Sequence, residues 1–143
     1  IVMPNVRDDI AFSLRRFKLS KAERTARVDA ALERFGLLDF AERSPHTLSG
    51  GQKQLLALAA VLVIDPVLII ADEPTTLLDL RNRDRIKREF AQLDQQLIVV
   101  THDLEFLMDF DRVICIDDHK VAADGAPQEV IDFYRDLIAQ RPL

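Results

Sequence analysis

The chain holds one cysteine, Cys115, in 143 residues, so no disulfide can form within it. That fits a reducing compartment. Cys115 lies in the apolar run Val113-Ile114-Cys115-Ile116, the setting of a small buried hydrophobe. Long apolar runs are missing too. The longest without a charge, Leu55 to Ile64 and Val67 to Ala71, fall well short of the roughly 20 residues of a membrane-spanning helix. No basic stretch followed by a long apolar segment opens the chain, so no secretory signal is expected at its start. The first residue is Ile1 rather than Met, and the expectation is an excised or processed piece. There is no basic excess: 19 Lys and Arg stand against 24 Asp and Glu, for a net charge of −5. A nucleic-acid partner is therefore not expected. Internal repeats and low-complexity segments are absent as well.

What is present suits one domain with a real core, at 48% hydrophobic and 30% charged residues. The charge is uneven. Residues 1–48 carry nine Lys and Arg against seven Asp and Glu, and residues 49–143 carry ten against seventeen. Such asymmetry marks either a partner-facing lobe or a solvated helix face.

The front third reads as helical. A short helix is expected from about Arg7 to Arg16, carrying Ile10, Phe12 and Leu14. Ser20-Lys21-Ala22-Glu23 is a capping box. Val28, Leu32 and Phe35 follow on one face, and Gly36 is the stop. A polar loop, Glu42 to Thr47, leads to a glycine pair. From Gly51 a helix apolar nearly all round (Leu55, Leu56, Leu58, Leu62) must be buried on most sides, and Asp65-Pro66 breaks it. Val67–Ala71 and Leu97–Thr101 read as fully buried parallel strands. Between them lies a helix with Ile86, Phe90 and Leu93 on one face. A short helix follows His102. Arg112–Asp117 and Lys120–Asp124 read as two strands about a turn. A final helix carries Val130, Ile131, Tyr134, Leu137 and Ile138. Strands alternating with helices predict an α/β fold with a parallel sheet.

Three places carry chemistry. Ser49-Gly50-Gly51 opens a helix whose first N–H groups lack internal partners and carry the positive dipole end. Two glycines let a ligand approach and Ser49 adds a hydroxyl, which suits a phosphate. A plain serine cap with a glycine turn would look the same. Asp72-Glu73 ends a strand, at the sheet edge where α/β folds bind ligands. Asp72 suits Mg²⁺, which takes one or two carboxylates plus phosphate oxygens. Glu73 could orient or deprotonate a water; an exposed acidic turn is the plainer alternative. His102 follows Ile98-Val99-Val100-Thr101 and could reach a phosphate oxygen and orient Glu73 if the strands are neighbours. His46 and His119 have no such setting and read as surface residues.

In this order and spacing the segments resemble the ATP-binding cassette ATPases over essentially the whole chain. Leu48-Ser49-Gly50-Gly51-Gln52 matches that family's signature, and Ile69-Ile70-Ala71-Asp72-Glu73-Pro74-Thr75 its Walker B strand with the catalytic glutamate. Leu78-Asp79 matches the D-loop and Thr101-His102-Asp103 the switch histidine. The resemblance implies a P-loop NTPase-like parallel sheet, of which this is the C-terminal part, with an α-helical signature subdomain. Residues 1–64 would be the helical lobe that docks on a membrane partner, and residues 65–143 part of the RecA-like core. It also implies two domains dimerising head to tail around two ATP molecules. Ser49, Gly50, Gly51 and Gln52 would meet the nucleotide held by the opposite subunit, and Asp79 would signal across the dimer. Asp72 would serve Mg²⁺, Glu73 the water and His102 the γ-phosphate. More narrowly, Asp8-Asp9-Ile10-Ala11-Phe12, Thr75–Arg83 and Gln96–His102 resemble the ATPases of energy-coupling-factor importers, the biotin type first, then cobalt and nickel. That implies an integral membrane transport subunit as partner, a homo- or heterodimer of ATPase domains, and a place on the cytoplasmic face of the membrane.

The chain departs from the family pattern in one large way. The phosphate-cradling G-x-x-x-x-G-K-[ST] loop is absent, and no Gly-Lys-Ser or Gly-Lys-Thr occurs anywhere. Ala71 stands where a bulkier aliphatic is usual, and Leu77 and Leu78 where a small residue is common. The expectations are therefore no useful ATP affinity for this chain alone and some exposed core surface with self-association. Two other readings remain: a soluble ATPase of the same family in chromosome maintenance or translation, and a non-enzymatic partner lending Ser49-Gly50-Gly51 in trans.

Overall fold

The computed structural model describes residues 3–76 and 78–140, and the chain divides into two compact units, one ending at Val99 and one beginning at Val100. The first opens with α1 (Val6–Ser13), capped by Asn5, whose side-chain oxygen accepts from the Asp8 N–H at 2.7 Å. The helix expected to reach Arg16 instead tightens at Leu14–Arg16 into a single 3₁₀ turn, a common way to end a helix. Val6, Ile10 and Leu14, four residues apart, are fully buried. Arg7 pins this helix from outside, donating to Asp29 of α2 (Lys21–Arg34) and to Glu42 at 3.0 Å. Those bonds, Asp29 first and Glu42 next, raise the Arg7 pKa above its ordinary value.

Both ends of α2 are as read. Ser20 and Glu23 exchange bonds of 3.2 and 2.8 Å. At the other end Gly36 takes a left-handed φ of +60°. The N–H groups of Gly36 and Leu37 then return to Glu33 O and Leu32 O at 3.0 and 2.8 Å, the crossed pair of a Schellman ending. Helix α3 (Gly50–Leu62) packs on α1 and α2, and buries Leu55, Leu56, Leu58 and Ala59 as its all-round apolar sequence requires.

Strand β1 (Leu68–Asp72), helix α4 (Leu80–Ala91) and strand β2 (Gln96–Val100), whose last residue begins the second unit, follow, with β1 beside β2 in a parallel α/β sheet. The strands differ from the sequence reading in one respect. Both alternate rather than being buried on both faces: Ile69 is 5% exposed but Ile70 is 69% exposed, and Ile98 is 45% exposed. The reason is that this sheet has two strands among the described residues and only one of its faces is covered. On α4, Ile86 and Phe90 are buried and Arg34 reaches Glu89 at 3.3 Å.

The second unit contains α5 (Leu104–Leu107), the antiparallel pair β3 (Val113–Asp117) and β4 (Lys120–Gly125), and α6 (Pro127–Ala139). The hairpin turns on Asp118 and His119, both at positive φ (45° and 61°), the geometry of a two-residue turn matched to strand twist. A bulge lies between Cys115 and Ile116, and Arg112 clasps Asp124 with bonds of 2.7 and 2.6 Å. Val113, Cys115 and Val130 form the core, with Leu107, Ala123 and Tyr134 against it, so Cys115 is the small buried hydrophobe expected. Among the described residues no helix is long and apolar enough to cross a membrane.

Candidate functional site

The start of α3 is fixed by its own sequence. Ser49, at extended φ and ψ, accepts from the Gln52 N–H at 3.3 Å, while the Gln52 side-chain oxygen accepts from the Ser49 N–H at 2.8 Å. This is a second capping box, with Gln where α2 has Glu. It leaves the Ser49 hydroxyl hydrogen available and holds the first turn rigid. The N–H groups of Gly50 and Gly51 sit at that turn, before any carbonyl can pair them within the helix.

The two glycines differ in what surrounds them. A Cβ on Gly50 would meet nothing within 4 Å. On Gly51 it would lie 2.3 Å from Asn82 Cγ and 2.5 Å from its Nδ2. Gly50 is thus open to a ligand, and Gly51 lies close against the Asn82 side chain of α4. Asn82 is held in turn by Asp79. One carboxylate oxygen caps α4 by accepting from the Asn82 N–H at 2.8 Å, and the other accepts from its side-chain amide at 3.0 Å. Asp79 therefore has a structural duty that follows from a rule available in sequence, an Asp just before a helix. Leu77, the residue before Leu78-Asp79, lies outside the described residues.

At the end of β1 the exposed Asp72 is the last strand residue. Glu73 follows at a φ of +47°, a left-handed conformation that costs a non-glycine residue and is concentrated at functional positions. Its carboxylate accepts from the Thr76 hydroxyl at 2.9 Å. Gln54, one turn into α3, donates to Pro74 O at 3.1 Å. The loop after β1 is thereby tied directly to the glycine-initiated helix. Thr76, Gln54 and Asn82 escaped the sequence reading. The spacing Glu73-x-x-Thr76 is the one local signal among them; the other two contacts join segments far apart in the chain.

His102 belongs to the second unit, two residues beyond the end of β2, and is exposed. His46 and His119 are exposed as expected. No three His, Cys, Asp or Glu side chains cluster as a metal cage among the described residues. A single exposed carboxylate at Asp72 fits an ion whose other ligands are phosphate oxygens and water. It does not fit one that needs a complete protein cage.

Between α3 and α4 lies a cavity of about 390 Å³, lined by Ser49, Gln52 and Asp79 together with Arg81, Arg85 and Arg88. A serine-capped, glycine-opened helix start thus shares one recess with the residue that caps α4. The sequence profile described as ABC transporter matches residues 3–76, just over half of the chain. The chain belongs to the ABC transporter family. The matched span takes in Ser49-Gly50-Gly51-Gln52 and β1 with Asp72 and Glu73. The biotin transport ATP-binding protein of Rhizobium etli is 48% identical over 139 residues, 97% of this chain and 62% of that protein. The energy-coupling factor transporter ATP-binding protein of Leuconostoc mesenteroides is 40% identical over 131 residues, 87% of this chain and 48% of that protein. Among solved structures, cbiO1 of Clostridium perfringens, part of the ABC transporter complex cbiONQ, superposes with a TM-score of 0.79 at 32% identity, covering 96% of this chain and 58% of that one. This chain thus spans less than two thirds of the length of these relatives. The α/β fold with a parallel sheet agrees with the solved relative.

Proposed function

We propose that this chain is the signature- and Walker B-bearing part of an ATP-hydrolysing subunit that drives solute import. Residues 1–64 form the lobe that docks on an integral membrane subunit, at the cytoplasmic face, and residues 65–143 belong to the catalytic core. Two ATPase domains, alike or different, join head to tail. Ser49, Gly50, Gly51 and Gln52 of one face the nucleotide of the other, and Asp79 relays between them. Bound ATP would supply the phosphoanhydride bond, and Asp72 would hold Mg²⁺ from this chain, an ion that would supply charge neutralisation to the phosphates. Glu73 positions the water and accepts its proton, and His102 bonds the terminal phosphate. The energy-coupling-factor and biotin names of the relatives favour a vitamin as solute, biotin first, with cobalt or nickel as the alternative cargo.

The observation that carries this reading is the bond from Gln54 to Pro74 O at 3.1 Å. It ties the signature helix to the loop that follows Glu73, which supports a link between phosphate contact at Ser49 and water placement at Glu73. Glu73→Gln in the assembled ATPase is the test. Loss of turnover by roughly 10²-fold or more, with nucleotide binding kept, is the expected outcome for a general base. Undiminished turnover would overturn the hydrolytic role, and would favour a chain that only lends its signature segment in trans.

A further inference from the structure

Helix α4 carries an unusual set of cations. Arg81, Arg85 and Arg88 stand at i, i+4 and i+7, one helical face, and all three line the cavity that Ser49 and Gln52 share. Two nearby carboxylates already have hydrogen-bond partners, although Asp79 keeps its charge in the same recess. Asp79 spends both oxygens on Asn82, and Glu89 pairs with Arg34 at 3.3 Å. Arg88 donates its Nε only to the backbone carbonyl of Asp84, at 3.3 Å. The Arg85 guanidinium lies against Gly36, its Nη2 2.9 Å from where a Cβ would stand. No ion pair among the described residues engages Arg81, Arg85 or Arg88. Three guanidiniums facing one recess repel one another, and an anion placed among them removes that cost while gaining charge-assisted, forked hydrogen bonds. From α3 the recess is lined by Ser49, whose hydroxyl hydrogen is free to donate, and by Gln52 and Leu55. Asn82 of α4 lies close against Gly51 of α3, with no room for a side chain between them.

We propose that Arg81, Arg85 and Arg88 form a phosphate-binding wall opposite Ser49, which draws the phosphate chain into the signature cavity. The proposal rests on the reading of Ser49 as a phosphate contact and assigns the charge that recognises the ligand to α4. The ligand chemistry is a phosphate group, whether free or at the end of a nucleotide.

The test is a Mg²⁺-free titration of the chain, once with orthophosphate and once with ATP, followed by the backbone amide signals of Gly50 and Gly51 and the side-chain Nε–Hε signals of the three arginines. Saturable shifts in both sets are expected. They should weaken steeply with added salt, and Arg85→Gln should raise the midpoint roughly threefold to tenfold. A lower midpoint for ATP would assign the wall to a nucleotide's phosphates, and an equal one to a single free phosphate. Arginine signals unmoved by either probe would overturn the proposal, as would unchanged binding in the combined R81Q/R85Q/R88Q variant. Such a failure leaves the Glu73→Gln result intact, because that experiment reads turnover. Conversely, turnover that survives Glu73→Gln leaves the titration able to report on the cavity.

Discussion

At the scale of single residues, Gly50 and Gly51 look equivalent in sequence and are not equivalent in space. A methyl group on Gly51 would overlap the Asn82 amide, which cannot swing aside without giving up its bond to Asp79 at 3.0 Å. Gly51→Ala is expected to destabilise the first unit by at most about 1 kcal/mol, the worth of the exposed Asp79–Asn82 bond it would displace. Denaturant melts should show the loss largely restored when Asn82→Ala is added, since the second change removes the obstructing amide. Non-additivity of that kind is the mark of two residues in contact. Gly50→Ala should leave stability within about 0.5 kcal/mol, as at an unobstructed surface position, because the added methyl meets nothing. It should instead impair phosphate contact, since the methyl projects into the space left for the ligand. If both variants melt alike, the division of labour between the two glycines is wrong.

At the scale of elements, two helices begin with capping boxes that differ in one atom's charge: Ser20 with Glu23, and Ser49 with Gln52. The Ser20 hydroxyl, then its N–H, hold the Glu23 carboxyl below its ordinary value. A carboxyl with a depressed folded pKa contributes stability in full above its unfolded pKa and loses it as pH falls through the lower, folded value. Acidification from about pH 4.3 downward should therefore loosen the first turn of α2 and leave that of α3 unchanged. The Ser20 and Ser49 amide proton shifts, followed through an acid titration, check this directly. Glu23→Gln should abolish the step at Ser20, and a step that persists would implicate some other group. These caps also show why the elements were legible in sequence. Caps, the Gly36 stop and the apolar faces of α2 and α3 depend on residues a few positions apart. The family's segments were legible for the same reason, being contiguous. Burial of β1 and β2 was not, since it depends on what covers the second face of a two-stranded sheet. Nor were the contacts of Gln54 with Pro74 and of Asn82 with Gly51, which join residues 20 and 31 positions apart.

At the scale of the whole molecule, the distribution of apolar surface and phosphate ligands sets what this chain can do unaided. Val67, Ile70 and Ile98 are 87%, 69% and 45% exposed in and beside strands that should carry a core face. Exposed apolar strand residues of this kind favour association where they adjoin. Sedimentation should therefore show concentration-dependent self-association, and Ile70→Thr with Ile98→Thr should reduce it while keeping strand-compatible β-branched residues in place. A monomer at every concentration reached would mean the exposed strand face is harmless. Nucleotide affinity follows the same division. In P-loop enzymes the phosphates are cradled by a glycine-rich backbone loop and its lysine, and this chain of 143 residues contains neither Gly-Lys-Ser nor Gly-Lys-Thr. Ser49, Gly50 and the arginines of α4 can meet a phosphate from one side only. Calorimetry of the chain with ATP should consequently show weak binding that Mg²⁺ does not strengthen, because Asp72 alone cannot hold the ion without a phosphate chain fixed beside it. Adding a family member that carries the cradling loop should change this, provided the two assemble head to tail. Its nucleotide affinity should rise when this chain is present, and the gain should vanish with Ser49→Ala. A gain that survives Ser49→Ala would place the contact elsewhere, and tight Mg²⁺-dependent binding by this chain alone would show that the missing lysine is not needed.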